Sequence, residues 1–409
     1  MATIRPFRAL RPPRDLVSRV AAPPYDVVST AEARTLADGN TDSFLRVSLP
    51  QINLDPAATA DPEEVHRLGR ATLEDFVRRG SLIRDEKPGL LVYRQAMGDA
   101  VQTGVVGCAS VDEYKRGVIA IHEHTRPDKE DDRTRHIDIL GAHDEPVFLM
   151  YRPDAPGAPA IADTVERVTL GAPEAEFTTD AGVTHTLWVV EDAQAIQTLV
   201  AAFERVPTLY VADGHHRSAA AARVWDRRGE GEAAYFPAVV FPADDLTIMA
   251  YNRVVRDLGG RTLAFLLEAV AVDFDVQPSP AAPTLGVHQF GLYSGGQWYL
   301  LTAHDEIVDE SDPIARLDVS LLQDRVLAPL LGIDDPRTDQ RIAFVGGIRG
   351  TAELVRLVDS GAFAAAFALH PTSPVEVMDV ADEGEVMPPK STWFEPKLRS
   401  GLFVHSIDA

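Results

Sequence analysis

Residues 209–228 read LYVADGHHRSAAAARVWDRR, and the parsing of this stretch decides the fold. The apolar run LYVA predicts a strand. Asp213, Gly214, His215, His216 and Arg217 crowd the point where it ends, and a helix follows at once. A strand that hands straight over to a helix points to a mixed α/β architecture.

The first N–H groups of a helix lack intrahelical partners, and their dipoles leave a partial positive charge there. The corner therefore favours an anion, phosphate above all. Gly214 allows positive φ or close approach of the backbone to a ligand. Arg217 sits in the first turn, where its fork can grip phosphate oxygens at two points, with His215 beside it. Asp213 has two readings, as the helix cap or as a ligand for a divalent cation such as Mg²⁺. The small residues after Arg217 let the helix pack closely on a sheet. The competing reading is a capped helix whose histidines are merely hydrogen-bonded. Burying two adjacent histidines and an arginine for structure alone is costly, which favours a site. Neither a Walker loop nor the dinucleotide fingerprint occurs in the chain.

Working outward, DPEEVHRLGRATLEDFVRRG (61–80) predicts a helix opened by Asp61 and Pro62 and stopped by Gly80. A shorter helix with its N-cap at Ser29 or Thr30 ends near Gly39, and SFLRVSL (43–49) is a strand candidate. The segments GLLVYRQAM, VQTGVVGCASV and GVIAIHEHT, between about 90 and 120, read as successive antiparallel strands. A charged helix (RPDKEDDRTRHIDILGAH) and a buried strand (PVFLMY) follow. THTLWVV and the segment 234–255 add further strands. After about residue 260 the composition shifts to proline- and glycine-rich, β-containing sequence. The expected organisation is a main α/β body over 1–260 with a mixed sheet and flanking helices, and a smaller C-terminal lobe over 261–409 that returns a basic loop to the site.

The chain has 409 residues, long enough for a sizeable core, and 39 basic against 62 acidic side chains give a net charge of -23. Such a surface repels nucleic acid and anionic membranes, and no basic recognition helix is apparent. No stretch approaches the length of an apolar membrane span, and the arginine-rich N-terminus is unlike a signal peptide. The expectation is a soluble cytoplasmic protein, with a homodimer allowed. The single cysteine, Cys108, reads as a small buried hydrophobe.

Three further constellations stand out. IHEHTRPDKEDDR (121–133) gathers His122, Glu123 and His124 after an apolar strand; these are candidates for the general base that takes a hydroxyl proton, with His216 and Asp213 as further catalytic candidates. Lys129 and Arg133, four apart, share one helical face and are candidates for binding phosphate or a substrate carboxylate. Glu130 and Asp131 read as a solvated, ion-paired face. H-E-x-x-H is absent, which disfavours a zinc hydrolase. In APPYDVVS, Tyr25 is a candidate to stack on a base and Asp26 to bind an amino group, against the alternative of a rigid, packed entry to the first helix. Arg253, at the end of a strand, is a further substrate-binding candidate. His66, His185 and His288 read as surface or satisfied core residues.

Four segments carry a resemblance: APPYDV (22–27), IHEHTRPDKEDDR (121–133), ADGHHRSAA (212–220) and MPPKSTWFEPK (387–397). Together the chain resembles the domain of unknown function 1015 family, placed near the ParB/sulfiredoxin-like superfamily that includes free-serine kinases. The resemblance implies a ParB/sulfiredoxin-like core and phosphoryl chemistry on a small metabolite, free serine or phosphoserine, with ATP or ADP as donor or acceptor. The free-serine kinases are shorter, so part of this chain has no counterpart in them. It is also the resemblance, rather than spacing, that makes Lys390, Ser391 and Lys397 phosphate-binding candidates. The expected function is thus nucleotide-dependent phosphoryl transfer to or from a small hydroxyl compound, as a kinase or a phosphatase. The alternative is a nucleotide- or phosphate-binding regulatory protein without turnover.

Overall fold

The computed structural model describes residues 1–57 and 61–408. The chain divides into two compact units, Met1–Leu246 with Pro396–Ala409, and Thr247–Glu395. The composition shift near 260 thus lies inside the second unit, and the C-terminal segment belongs to the first.

The first unit is built on a nine-stranded mixed sheet. From one edge its strands are Ile119–Ala120, Leu209–Asp213, Val147–Tyr151, Tyr235–Pro242, Ala100–Ser110, Leu90–Met97, Thr184–Val190 and Ala175–Thr178, with Ile4–Arg5 paired to Ala100–Ser110. Leu209–Asp213 runs parallel to Ile119–Ala120 and antiparallel to Val147–Tyr151, which is itself parallel to Tyr235–Pro242. All five residues of Val147–Tyr151 are buried, as expected of a central strand covered on both faces. Val147, Leu149, Val211, Ala238 and Val240 join Ile161, Leu199 and Phe203 from helices Ala158–Thr169 and Ala193–Phe203 in the main core. Each of these valine, leucine, isoleucine and phenylalanine side chains contributes about 1.5–3 kcal/mol through removal from water.

Helices start and stop where the sequence marks them. Pro62–Arg78 is capped by the Asp61 carboxylate, which accepts from Glu63 N–H. Thr30–Leu36 opens with a capping box between Ser29 and Glu32. Pro127–Leu140 ends at Gly141 with φ 71°, and His215–Arg228 ends at Gly229 with φ 69°. In this last helix Ser218, Ala219, Ala220, Ala221 and Ala222 are all buried, the close packing their small size permits.

Two expectations are corrected. The stretch 43–49 is not a strand: Leu45–Ser48 is a helical turn. It packs against Pro62–Arg78 at Gly69, where a Cβ would lie 3.3 Å from the Val47 carbonyl oxygen, so tertiary packing overrides the β-propensity of the run. The segment from 117 to 125 pairs only through Ile119–Ala120, at the sheet edge and parallel to the 209–213 strand rather than antiparallel to its sequence neighbour. Cys108 is buried within a strand, as its setting implies.

The second unit carries a six-stranded antiparallel sheet in the order Phe274–Ser279, Gln297–Ala303, Gln289–Ser294, Ala365–Leu369, Tyr251–Val255, Ile342–Gly346. A two-stranded ribbon, Thr247–Ile248 against Phe394–Glu395, joins the points where the chain enters and leaves this unit.

Candidate functional site

The register of the 209–213 strand against Val147–Tyr151 slips between Val211 and Asp213, a bulge that re-aims the chain just before the corner. Gly214 then takes φ 97° and ψ 27° and is itself the N-cap of the helix. No side chain among the described residues caps this helix, so Asp213 does not play the capping part. The positive φ favours glycine here, and a Cβ at 214 would crowd Arg217 Cζ and Nε at 3.1 Å.

Arg217 is buried. It donates through Nη1 to the Pro146 carbonyl oxygen and through Nη2 to Asp213 Oδ2 at 3.1 Å. Asp26 Oδ2 lies 3.8 Å from Nη2 and Glu145 Oε2 lies 3.9 Å from Nε, which has no hydrogen-bond partner among the described residues. Burial alone would weaken the guanidinium's hold on its proton, but Asp26, Asp213 and Glu145 outweigh it and raise its pKa. On the other side of Asp213, Lys397 Nζ stands 3.6 Å from Oδ1. Burial would raise this carboxyl, yet Lys397 and Arg217 prevail and hold it near 2. Both Asp213 oxygens thus face cationic side chains, an arrangement that does not suit a ligand for Mg²⁺.

Behind Arg217 is a small cavity of about 10 Å³, lined by Tyr25, Arg133, Asp144, Glu145 and Arg217 among others. Glu145 Oε1 accepts from Tyr25 N–H and from Ser400 Oγ–H, each at 2.9 Å. Its Oε2 has no hydrogen-bond partner among the described residues. Burial pushes Glu145 up to about 8; Arg217 opposes this, while Asp144 and Asp26 add to it. Adjacent Asp144 goes the other way. Burial would raise it, but His136, whose Nε2 is 3.1 Å from Oδ2, and Arg133 hold it below the usual carboxylate range. Two neighbouring acids are therefore split, one neutral and one ionised at neutral pH, a pattern found where protons are handled. Arg133 is buried over the Tyr25 ring, 4.0 Å from its centroid, and bonds Asp132. One face of Tyr25 is thus already covered by Arg133.

His122 and His215 meet edge to face with ring centroids 4.5 Å apart. Both are buried; neither ring nitrogen of His122, nor Nε2 of His215, has a hydrogen bond of good geometry among the described residues. Burial lowers His122 to about 4, against the pull of the Val211 backbone and Asp213, and takes His215 well below the ordinary range, with His122 adding to the effect. Glu123 is exposed, and its carboxylate lies within 4.8 Å of ligand atoms on both histidines. His216 Nε2 accepts from Arg126 N–H at 3.1 Å. A backbone N–H can only donate, so neutral His216 carries its proton on Nδ1. Arg126 is the residue that precedes Pro127–Leu140, so this bond ties the starts of two helices together.

The structure thus brings together Tyr25, Asp26, His122, Glu123, Arg133, Asp213, Gly214, His215, His216, Arg217 and Lys397 within the first unit. Lys129 is exposed while Arg133 is buried, so the two do not act as one face. His124 is exposed. Glu130 and Asp131 pair with Arg223, as an ion-paired face should. Of the lone histidines, His185 is stacked on Phe177 and bonded to the Tyr93 hydroxyl. His66 contacts His136, and His288 lies 3.0 Å from Asp318. Lys390, Ser391 and Arg253 belong to the second unit. There Lys390 is exposed with φ 58°, and Ser391 Oγ–H donates to the Pro388 carbonyl oxygen at 2.6 Å. Arg253 is buried over Phe344, donates to the Tyr251 carbonyl oxygen, and is lowered to about 10 by burial. Sequence reasoning missed Asp144, Glu145 and His136. The available signal was two adjacent acids directly before the fully apolar strand PVFLMY, a costly place for charge.

Mixed sheet, flanking helices and a buried cluster of split acids, neutral histidines and arginines define an α/β protein with a polar site at a strand-to-helix corner. The chain belongs to the family described as protein of unknown function DUF1015, whose model matches residues 4–320. No curated protein matches it. Among solved structures it is similar to a free serine kinase in complex with AMP, at 15% identity and TM-score 0.35, covering 71% of this chain and 86% of that one. It is similar to a conserved hypothetical protein from Pyrococcus furiosus at 16% identity and TM-score 0.36, covering 75% and 96%. It is also similar to SbnI with a C-terminal truncation from Staphylococcus aureus, at 11% identity and TM-score 0.38, covering 73% and 87%. Likenesses at these TM-scores carry no argument about the site. Among the described residues no helix is long and apolar enough to cross a membrane.

Proposed function

We propose that the first unit binds a phosphorylated small molecule at the 213–217 corner and moves a phosphoryl group between a nucleotide and a small hydroxyl metabolite. Free serine and phosphoserine are the substrate pair that the family resemblance implies, with ATP or ADP as the nucleotide. The observation that carries the reading is the start of the His215–Arg228 helix, opened by Gly214 at φ 97° with no side-chain cap among the described residues. Its first N–H groups and Lys397 supply donors for phosphate oxygens, and the buried Arg217 guanidinium adds positive charge behind them. Phosphoryl transfer asks a protein mainly to position groups and neutralise charge. A hydroxyl oxygen forms the new P–O bond, the bond to the nucleotide oxygen breaks, and the hydroxyl proton passes to a base. Glu123 is our candidate for that base, an exposed carboxylate beside two buried histidines.

The test is incubation of the purified chain with ATP or ADP, Mg²⁺ and either serine or phosphoserine, read by ³¹P NMR. Transfer is expected in at least one combination, with turnover lost and nucleotide affinity kept in Glu123→Gln. Silence with every donor would refute the transfer, and binding without turnover would return the regulatory alternative.

A further inference from the structure

We propose that His122, Glu123 and His215 hold one divalent first-row transition-metal ion, of the zinc or cobalt class, beside the corner at Gly214. Among the described residues they form the one group of three or more histidine, cysteine or acidic side chains whose ligand atoms all lie within 4.8 Å of one another.

Geometry comes first. A tetrahedral ion with ligand bonds of about 2.0–2.2 Å sets its ligand atoms about 3.3–3.6 Å apart. The observed spread exceeds this only modestly. The donors come from two separate places in the chain, the segment after Ile119–Ala120 and the first turn of His215–Arg228. The parallel pairing of Leu209 with Ile119 and Tyr210 with Ala120 fixes these segments side by side.

The second observation is independent of the clustering. His122 and His215 are each more than nine-tenths buried, yet His215 Nε2 has no hydrogen-bond partner among the described residues and neither ring nitrogen of His122 has one of good geometry, the Val211 backbone being the polar group that acts on it. Buried polar atoms are nearly always paired, and leaving one unpaired costs about 1–3 kcal/mol. Imidazole nitrogen lone pairs gathered beside a carboxylate are what a metal ion takes up. Asp213 adds negative charge close to both rings and favours a cation there, while Arg217 and His216 work against it at His215.

The donor set selects the ion. Two imidazole nitrogens and one carboxylate suit zinc, cobalt, nickel or iron, whereas Mg²⁺ prefers an all-oxygen shell. Three protein ligands leave a position open to an outside oxygen, as catalytic rather than structural zinc sites do. The motif filter H-E-x-x-H could not have found this site, because its second histidine is brought in by the sheet rather than by helical spacing. A carboxylate bound through one oxygen keeps its second oxygen, so ligation and proton acceptance by Glu123 are compatible. Metal binding does not rest on the phosphoryl reading, and its test gives an answer whether or not any transfer is found.

The experiment is titration of the chelator-stripped full chain with Co²⁺ and with Zn²⁺, by calorimetry and by the visible ligand-field absorption of Co²⁺. One ion per chain is expected, with Zn²⁺ displacing Co²⁺ and excess Mg²⁺ failing to displace either. Glu123→Gln, at an exposed position, should weaken binding by more than about tenfold, and His122→Phe should abolish the site. Circular dichroism and a thermal melt show whether each variant is folded; if His122→Phe is not, Glu123→Gln decides. The proposal is overturned if the wild type binds no Co²⁺ at a few equivalents, or if the folded variants bind it as the wild type does.

Discussion

Replacing Glu145 with glutamine isolates the most perturbed acid of the site. In the folded chain Glu145 titrates near 8, against an ordinary 4.5, chiefly because it is buried. Below pH 4.5 the folded and unfolded chains both hold this proton, and the stabilisation is fully present. As pH rises above 4.5 the unfolded chain releases the proton while the folded chain keeps it. Stability therefore drains away with rising pH until the folded carboxyl ionises near 8. At about 1.4 kcal/mol per pH unit, the gap sets a ceiling of about 5 kcal/mol on the loss. Glutamine retains an oxygen to accept from Tyr25 N–H and Ser400 Oγ–H and cannot ionise. Urea unfolding of wild type and Glu145→Gln from pH 5 to 9, followed by hydrogen-exchange mass spectrometry on first-unit peptides, measures the difference. The variant should gain on the wild type steadily across this window, by a few kcal/mol at its alkaline end. Parallel curves, or a wild type that gains on the variant, would refute the reasoning.

Two further outcomes follow from packing and charge. Arg217→Leu leaves Asp213 and Asp26 without their shared cation and should cost about 3–5 kcal/mol, read as a lowered melting temperature; a change within about 0.5 kcal/mol would show that the ion cluster contributes nothing. Gly157→Ala drives a Cβ into the Ala202 carbonyl oxygen where helices Ala158–Thr169 and Ala193–Phe203 meet, and should destabilise the first unit by about 1–3 kcal/mol in calorimetry; an unchanged melt would mean that the two helices separate freely.

What could be read in advance had local causes. The helix at Pro62–Arg78 announces itself through Asp61, Pro62 and apolar spacing, and the 213–217 corner through five special residues after an apolar run. The short apolar run at 43–49 did not, because strand and helix share that composition when the segment is brief, and Gly69 on a distant helix settles the matter. Glu145 was hidden for a different reason. Its contacts come from Tyr25, Arg217 and Ser400, so the adjacent acid and the apolar strand that follows mark a costly pair without telling which of the two is neutral. The His122–Glu123–His215 grouping was half visible: the first two stand together in sequence, while the third joins only through pairing of strands far apart in the chain.

The first unit is stitched shut by residues that follow the whole of the second unit in the chain. Leu10 bonds Val404, Ala22 pairs with Ser400, His143 faces His405, and Lys397 attends Asp213. A ribosome delivers the corner early and must translate the whole of Thr247–Glu395 before those stitches arrive. During that interval the nascent sheet waits with Asp213 lacking one of its two counter-ions. The inserted segment thus sets a delay on maturation of the site, independent of any chemistry performed there.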